Sequence, residues 1–542
     1  MAGFMEKNEK IILAVIILIY LILEIINISL PGLYVDEAFS GCIGLQILKN
    51  IGPFAYYSVK LFGRCLPIMQ GAEYSGAMEG YILSPFLWLF GANVVVLRLV
   101  PIIMQAGFLI ALYFLLKDFF NRKVAFASII FLTISSVFLL ETKLGLNSAS
   151  MLHLAAILVL CSLFKWYRGS NRVYFYVVLF ILGLGISIRV WFLWFVNSLI
   201  ILFLIFHKKI LSKIRNSPAR YLFFGLLSFT SGLALFVIYN FKVKGNTVNY
   251  ITEHFFKTKF SINNGLYFEN LSSRMEFFIN YLNGLHPLMM QGVAREQIAV
   301  NQLYPFLFFG SLFWLAFSFF SGKSSFSRGK VSFVVLLLCL VILQSPFTLS
   351  SLNGPHLFII FPLLPVILAL AWMDIIEVFK KNRVIVVIIN IVVAVFVVAE
   401  CNATVRNNYL YFNKTGGAGN YTDTVYELVD YLKQNELFSP CVMDWGIYHN
   451  LVFLSAGKII PRQFGYIEGG ESDKKNSFIE ECKLTLNKNA NLYIFHSPVF
   501  TNRPQIYRIF EKIVLDSGRS LIEEKKFYQR NGMAVYILYS IK

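Results

Sequence analysis

Residues 11–26 read IILAVIILIYLILEII and residues 384–398 read VIVVIINIVVAVFVV. Both runs would be apolar on every side of a helix, whereas a helix on a soluble protein keeps a polar face. Stretches of this kind are what the hydrocarbon core of a bilayer, about 30 Å thick, selects. Apolar segments recur at roughly 94–116, 124–141, 148–165, 173–188, 191–206, 221–240, 304–320, 331–347 and 356–374. The expected fold is a polytopic α-helical membrane protein with about 11 transmembrane helices. Composition agrees, since 57% of the 542 residues are hydrophobic and only 14% are charged, against roughly 25% charged in soluble domains. A soluble enzyme, a disordered chain and a disulfide-stapled module are excluded.

The net charge is +18, from 48 Lys and Arg against 30 Asp and Glu. In a soluble protein that excess would suggest nucleic acid; in a membrane protein the bases mark cytoplasmic loops. With the N-terminus inside, the inner segments collect Lys7 and Lys10; Lys117, Arg122 and Lys123; Lys165, Arg168 and Arg172; and Lys208 to Arg220. Lys323, Arg328 and Lys330, then Lys380, Lys381 and Arg383, continue the pattern, while the short outer loops hold only Lys143 and Arg189. One orientation satisfies every loop, so most of the charge is a topology signal and no nucleic acid is expected. The first helix follows Lys7 and Lys10 like a signal peptide, but SLPGLYVDEAFS (29–40) offers no small-residue cleavage site. It reads as a retained anchor in the plasma membrane.

Within a membrane domain spanning 1–400, two outer regions are long: 31–93, read as a loop with interfacial helices, and 241–303. Residues 401–542 form the third, a C-terminal extracytoplasmic α/β domain large enough for its own core. There YTDTVYELVDYLKQ (421–434) has helical spacing, with Val425, Leu428, Val429 and Leu432 on one face. CVMDW (441–445) and NLYIFH (491–496) suit buried strands, RPQIYRIFEKIV (503–514) suits a second helix, and Asn531-Gly532 suits a hairpin turn. The seven cysteines show no CxxC and no Cys/His ligand spacing, so no metal is indicated. Cys42 and Cys65 stand as either a bridge or two free thiols.

Asp36-Glu37 carries the most chemical interest. Pro31-Gly32 end the first helix, and helical spacing resumes through Ala38, Cys42, Leu45 and Leu48, as in a helix lying along the membrane. Acids in its first turn are favoured by the helix dipole, by roughly 0.3–1 kcal/mol, which is one reading of the pair. The other is a carboxylate base at the lipid–water boundary, able to take a proton from an attacking hydroxyl. Further polar residues fall at the same boundary: Glu73 and Glu79 in EYSGAMEGYILSPFLWLFGANVVVLRLVP (73–101), then Glu141, Lys143 and Asn147. Arg189 interrupts GLGISIRVWFLW (183–194), and His356 lies in SLNGPHLFIIFP (351–362). Charges at membrane depth pair or line polar cavities. Arg98 reads as a snorkelling residue, and His153 as a packed hydrogen-bonding one.

The acidic pair with LKNIGPF (48–54) after it, the 73–101 stretch, GLGISIRVWFL (183–193) and GPHLFIIFPLLPVILAL (354–370), in that order, resemble the GT-C superfamily of membrane glycosyltransferases. The nearest branch holds the protein O-mannosyltransferases and the aminoarabinose transferase of lipid A. The resemblance covers roughly 1–400. It implies inverting transfer of a sugar from a polyprenyl-phosphate carrier, the donor substrate, to an acceptor hydroxyl on the extracytoplasmic face. It assigns Asp36 as catalytic base and Glu37 as the acidic neighbour that binds acceptor or shapes the site. It places Glu79 near the donor and matches Arg189 to a basic position suited to the carrier phosphate. His356 falls where relatives often have Arg-His, here preceded by Pro355; Asn147, with Glu141 nearby, stands where relatives often carry an acid, and Glu141, Lys143 and Asn147 join Glu79, Arg189 and His356 as candidates for binding the donor or its phosphate. A phosphate ester departs without protonation when cations stabilise it, so no metal cofactor is required. Two rival classes remain: a transporter or flippase of lipid-linked glycans, and a non-catalytic receptor or scaffold. Sugar and acceptor are not legible.

Overall fold

The computed structural model describes residues 7–145, 148–169, 171–206, 218–258, 262–285, 288–289, 292–352, 354–464, 472–486, 492–501 and 503–542. The chain begins with α1 (Lys7–Ile25) and α2 (Val35–Lys49), then strands β1 (Tyr57–Leu61), β2 (Arg64–Ala72) and β3 (Ser75–Gly76). Next come α3 (Met78–Phe90), α4 (Val94–Phe119), α5 (Arg122–Thr133), α6 (Ser136–Leu144), α7 (Ala149–Arg168), α8 (Arg172–Ile188) and α9 (Phe192–Phe206). Further helices are Ala219–Gly232, Ala234–Lys242, Asn246–His254, Tyr267–Leu282, Leu303–Ser321, Arg328–Gln344, Leu363–Val378 and Arg383–Thr404.

Every apolar segment of the sequence becomes a helix or a bent helix pair, yet they are not equally long. Four described helices are long and apolar enough to cross a membrane, or up to seven when each bent pair is one span. The bends are 65° between α5 and α6, 76° between Ala219–Gly232 and Ala234–Lys242, and 43° before Leu363–Val378. α8 and α9 are apolar but shorter. Among the described residues, helix length and composition alone thus account for up to seven of the eleven or so expected spans. The outside of the helical body is apolar: Ile11, Val15, Leu18 and Ile22 of α1 and Val384, Val387, Ile391, Val395 and Val398 near the end of the membrane portion are all exposed. Such a continuous apolar surface suits lipid, not water.

The 31–93 region departs from two interfacial helices in a loop. Between α2 and α3 the chain forms an antiparallel sheet in the order β1-β2-β3. Leu61 pairs with Arg64, and the two loop residues Phe62 and Gly63 both have positive φ, 48° and 75°. That is the backbone a two-residue hairpin demands, but Phe-Gly is not the usual composition of such a turn, so the sequence carries no clear hairpin signal here. The apolar face of α2 also points elsewhere than expected. Ala38, Cys42 and Leu45 pack in one core with Leu83 and Leu87 of α3 and with Val425, Leu451, Phe453, Ile494 and Leu538 of the C-terminal region. A Cβ on Gly41 would lie 2.4 Å from the Phe453 ring, so only glycine permits this approach.

The C-terminal region contains a five-stranded mixed sheet ordered β5-β4-β6-β8-β7. β4 (Cys441–Val442) runs parallel to β5 (Arg462–Gln463) and to β6 (Tyr493–His496), while β8 (Ala534–Ile541) is antiparallel to β6 and to β7 (Leu521–Tyr528). The Asn531-Gly532 turn joins β7 to β8, and helices Thr424–Gln434 and Pro504–Asp516 form where their spacing foretold. Its core is shared with α2 and α3, which fastens the tail over the first outer segment. Cys42 and Cys65 are free thiols; the Cys42 Sγ lies 3.4 Å from the His449 carbonyl oxygen.

Candidate active site

Asp36 and Glu37 occupy the first turn of α2, with Tyr34 as N-cap and the Glu37 carboxylate accepting from the Tyr34 N–H at 3.2 Å. Neighbouring helical residues are about 100° apart around the axis, so the two acids face different surroundings. Glu37 turns inward and meets Arg98 of α4 through two bonds, Nε to Oε2 at 2.7 Å and Nη2 to Oε1 at 3.0 Å, with both side chains 1% exposed. Arg98 also donates to the carbonyls of Ile28, Pro31 and Gly32. It does not snorkel: an unpaired guanidinium would leave for water, but three carbonyls on the turn before α2 and the Glu37 carboxylate hold this one inside. His153 is likewise a packed residue, its Nδ1 2.9 Å from the Gln105 amide and its Nε2 2.8 Å from the Phe358 carbonyl oxygen.

Asp36 turns the other way and is exposed, facing a cavity of about 270 Å³. The cavity is lined by Asp36 and Ser40 of α2, Gln70 and Ser75 of the hairpin, Glu79 of α3, Arg189 and Trp191 between α8 and α9, and Ser350, Ser351 and His356. Ser40 recurs four residues after Asp36, one turn along the same helix face. Its hydroxyl donates to Glu79 at 2.9 Å and accepts from the Gln70 amide at 2.9 Å, and Ser148 donates to the same Glu79 oxygen at 2.8 Å. The Arg189 guanidinium lies 3.8 Å from that oxygen, donates to the Ser75 hydroxyl, and sits 5.7 Å from the Trp191 ring centroid. The hairpin reaches it because Gly76 has no side chain: a Cβ there would stand 2.3 Å from the Ser187 carbonyl oxygen. The His356 ring packs 4.3 Å from that of Trp191, and its buried Nδ1 has no hydrogen-bond partner among the described residues.

Electrostatics set Asp36 apart. Desolvation by the surrounding protein pushes its carboxyl up to about 6; Arg189 pulls it down, while Glu79 and Glu37 push it further up. A carboxyl with a value of about 6 is mostly ionised at neutral pH and is protonated by a modest fall in pH. A carboxylate so tuned, with a guanidinium in the same cavity, has the chemistry of a proton acceptor beside an anion site.

The structure thus brings together Asp36, Glu79, Arg189 and His356, as expected, and adds Ser40, Gln70, Ser75, Trp191, Ser350 and Ser351, which no spacing announced. Glu37 lies behind the cavity wall. Glu141 and Lys143 are outside it: Glu141 accepts from the Tyr281 hydroxyl at 3.0 Å, and Lys143 donates to the Ile26 carbonyl at 3.1 Å, 5.5 Å from the Tyr409 ring centroid. Being on α6, they point into the helical body below the outer turn. Asn147 lies outside the described residues, and Ser148 beside it makes the contact to Glu79. No group of three or more His, Cys, Asp and Glu with metal-site geometry occurs among the described residues.

Residues 76–236 match the family of dolichyl-phosphate-mannose-protein mannosyltransferases. The chain is similar in structure to ArnT from Cupriavidus metallidurans bound to undecaprenyl phosphate, with a TM-score of 0.60 at 10% identity over 97% of both chains. This is a GT-C fold. The apo state of the same ArnT gives a GT-C match at TM-score 0.62, again at 10% identity and 97% of both chains. The archaeal oligosaccharyltransferase AglB from Archaeoglobus fulgidus, in complex with an inhibitory peptide and a dolichol-phosphate, matches at TM-score 0.54 and 13% identity, over 94% of this chain and 71% of that one. No curated protein matches the chain in sequence.

Proposed function

We propose that this GT-C protein is an integral-membrane glycosyltransferase that moves a sugar from a polyprenyl-phosphate carrier to an acceptor hydroxyl on the extracytoplasmic face, with inversion and with Asp36 as general base. The observation that carries the reading is the sharing of one polar cavity by a solvent-reached carboxylate, Asp36, and a guanidinium, Arg189. ArnT and AglB, whose folds this chain shares, have been seen with undecaprenyl phosphate and with a dolichol-phosphate.

In the reaction, Asp36 accepts the acceptor's hydroxyl proton as that oxygen forms a bond to the anomeric carbon. The bond from that carbon to the phosphate oxygen breaks, and the electron pair leaves with the carrier phosphate. Arg189 stabilises the departing charge without having to protonate it. Asp36 then returns its proton to water. Glu79 holds Arg189 and Ser40 in place, His356 and Trp191 close the phosphate side, and Glu37 shapes the turn that presents Asp36. Glu141 and Lys143 act at a distance, as parts of the wall behind the site. The C-terminal domain, packed on α2 and α3, lies on the extracytoplasmic side, and the N-terminus lies in the cytoplasm of a plasma-membrane protein.

A transporter reading has less support. Transporters hold substrate at the bilayer midplane on broken helices, whereas Asp36, Glu79 and Arg189 all sit at helix ends. The test is incubation of the purified full-length protein in nanodiscs with a panel of polyprenyl-phosphate sugars. Release of the free carrier phosphate together with a glycosylated acceptor supports the enzyme; turnover of no donor in the panel, by a protein that retains its fold, argues against it.

A further inference from the structure

A second cavity, of about 360 Å³, lies among α4, α7, α9 and the helices Arg328–Gln344 and Leu363–Val378. Its walls are mostly Leu, Ile, Val, Ala and Phe, and among the described residues the only Lys, Arg, Asp or Glu side chains lining it are Arg168 and Lys330, both cations. They mark one end, with Phe119; His153 lies deeper, fifteen residues before Arg168 on α7. At 1.5 Å per residue that is about 22 Å, more than the ~15 Å that one leaflet contributes to the hydrocarbon core. A full acyl chain fits along it.

Beside the charged end is a third cavity, of about 640 Å³, lined by Arg122, Lys123, Lys323, Ser325 and Phe326, with Glu377 the one acid among the described lining residues. Lys380 already pairs with that acid at 2.7 Å. Phe120 of the apolar cavity and Phe326 of the basic one touch, ring centroids 5.6 Å apart. An apolar slot with two cations at its end, next to a basic chamber, is complementary to one kind of molecule: an amphiphile with an anionic head.

We propose that this pair of cavities binds an anionic glycerophospholipid, an acyl chain in the slot and the phosphate beside Arg168 and Lys330. The headgroup then lies against Arg122, Lys123 and Lys323. This site is separate from the Asp36 cavity. The two share no lining residue, and the His153–Phe358 hydrogen bond with the Phe138 and Phe358 rings stands at the inner end of the slot. It is nevertheless coupled to it. Ile359 and Ile360 line the slot and end the turn Gly354–Ile360 that carries His356, so a bound chain buttresses that turn.

The test is native mass spectrometry of the full-length protein titrated with dioleoyl-phosphatidylglycerol and, separately, dioleoyl-phosphatidylcholine, joined to cross-linking by a photoactivatable phosphatidylglycerol. The expected result is preferential retention of one phosphatidylglycerol, with cross-links on α7 and on helix Arg328–Gln344. Arg168→Gln and Lys330→Gln should each weaken it by about fivefold, the effect of one surface cation on an anionic lipid. Ala156→Trp, which fills the slot, should abolish binding; if that variant fails to insert, the two glutamine variants at the helix ends decide. Equal retention of both lipids, cross-links confined to other helices, unchanged affinity in both glutamine variants, or displacement of phosphatidylglycerol by undecaprenyl phosphate would each overturn the assignment.

Discussion

Arg98 and Glu37 form a fully buried two-bond ion pair, 61 residues apart in sequence, and the same guanidinium gathers the carbonyls of Ile28, Pro31 and Gly32. The pair fixes the turn from which α2 starts and, one residue before Glu37, aims Asp36 at the cavity. Removing one partner of a buried pair strands the other charge and costs about 3–5 kcal/mol. Glu37→Gln and Arg98→Gln should each lower the unfolding temperature of the purified protein sharply. Glu37→Leu combined with Arg98→Met should recover part of that loss but not transfer activity, since the turn loses its anchor. Thermal unfolding and a transfer assay on the same preparations check both halves.

Asp36 should behave oppositely for stability. Its folded-state value of about 6 lies above the ordinary 3.8, so the folded chain disfavours the ionised form. Stability is then greatest below about pH 4, falls as pH rises through 6, and stays at the lower level beyond. Asp36→Asn removes that loss. The variant should unfold at a higher temperature than the parent at pH 7.5, with a much smaller difference at pH 4.5 and nearly none at pH 3.

The acid limb of the pH–rate profile should lie near pH 6 and move with the neighbours of Asp36. Glu79 raises the Asp36 value and Arg189 lowers it. Glu79→Gln should therefore shift the limb to lower pH and Arg189→Gln to higher pH, whatever each does to the maximal rate. Profiles of kcat/KM report the free enzyme's base, and limbs that stay fixed in both variants would detach Asp36 from them.

Gly76 is where the hairpin meets the end of α8, a Cβ there standing 2.3 Å from the Ser187 oxygen. Gly76→Ala should push Ser75 off the Arg189 guanidinium and displace the cation proposed to hold the donor phosphate. Small misplacements of catalytic groups can cost about a hundredfold, so kcat/KM should fall by at least about tenfold. Isothermal binding of undecaprenyl phosphate, weakened in the same variant, locates the damage at the phosphate.

The parts of this molecule that were legible in the sequence are those that lipid imposes. Apolar runs such as 384–398 can only be helices, because backbone polar groups in hydrocarbon must bond within their own segment. Asp36, Glu79, Arg189 and His356 could be named because ionisable residues are rare in such surroundings. What stayed hidden depends on partners far along the chain. Nothing local tells that Ala38, Cys42 and Leu45 face Phe453, not lipid, or that Arg98 is held by three carbonyls and Glu37. Ser75 and Gln70 reach the cavity on a hairpin whose Phe62-Gly63 turn has uncommon chemistry. Glu141 and Lys143 carried the same sequence signature as the true lining residues, and only the direction of α6 separates them.

In the proposed reaction everything turns on Asp36 accepting the acceptor's proton. The direct measurement is single-turnover release of carrier phosphate by the parent and by Asp36→Asn, both in nanodiscs, with donor affinity determined alongside. General-base catalysis contributes about 10²–10⁴-fold. The account predicts a loss of that size with donor affinity and fold intact, and a normally folded Asp36→Asn that releases carrier at the parental rate would contradict it.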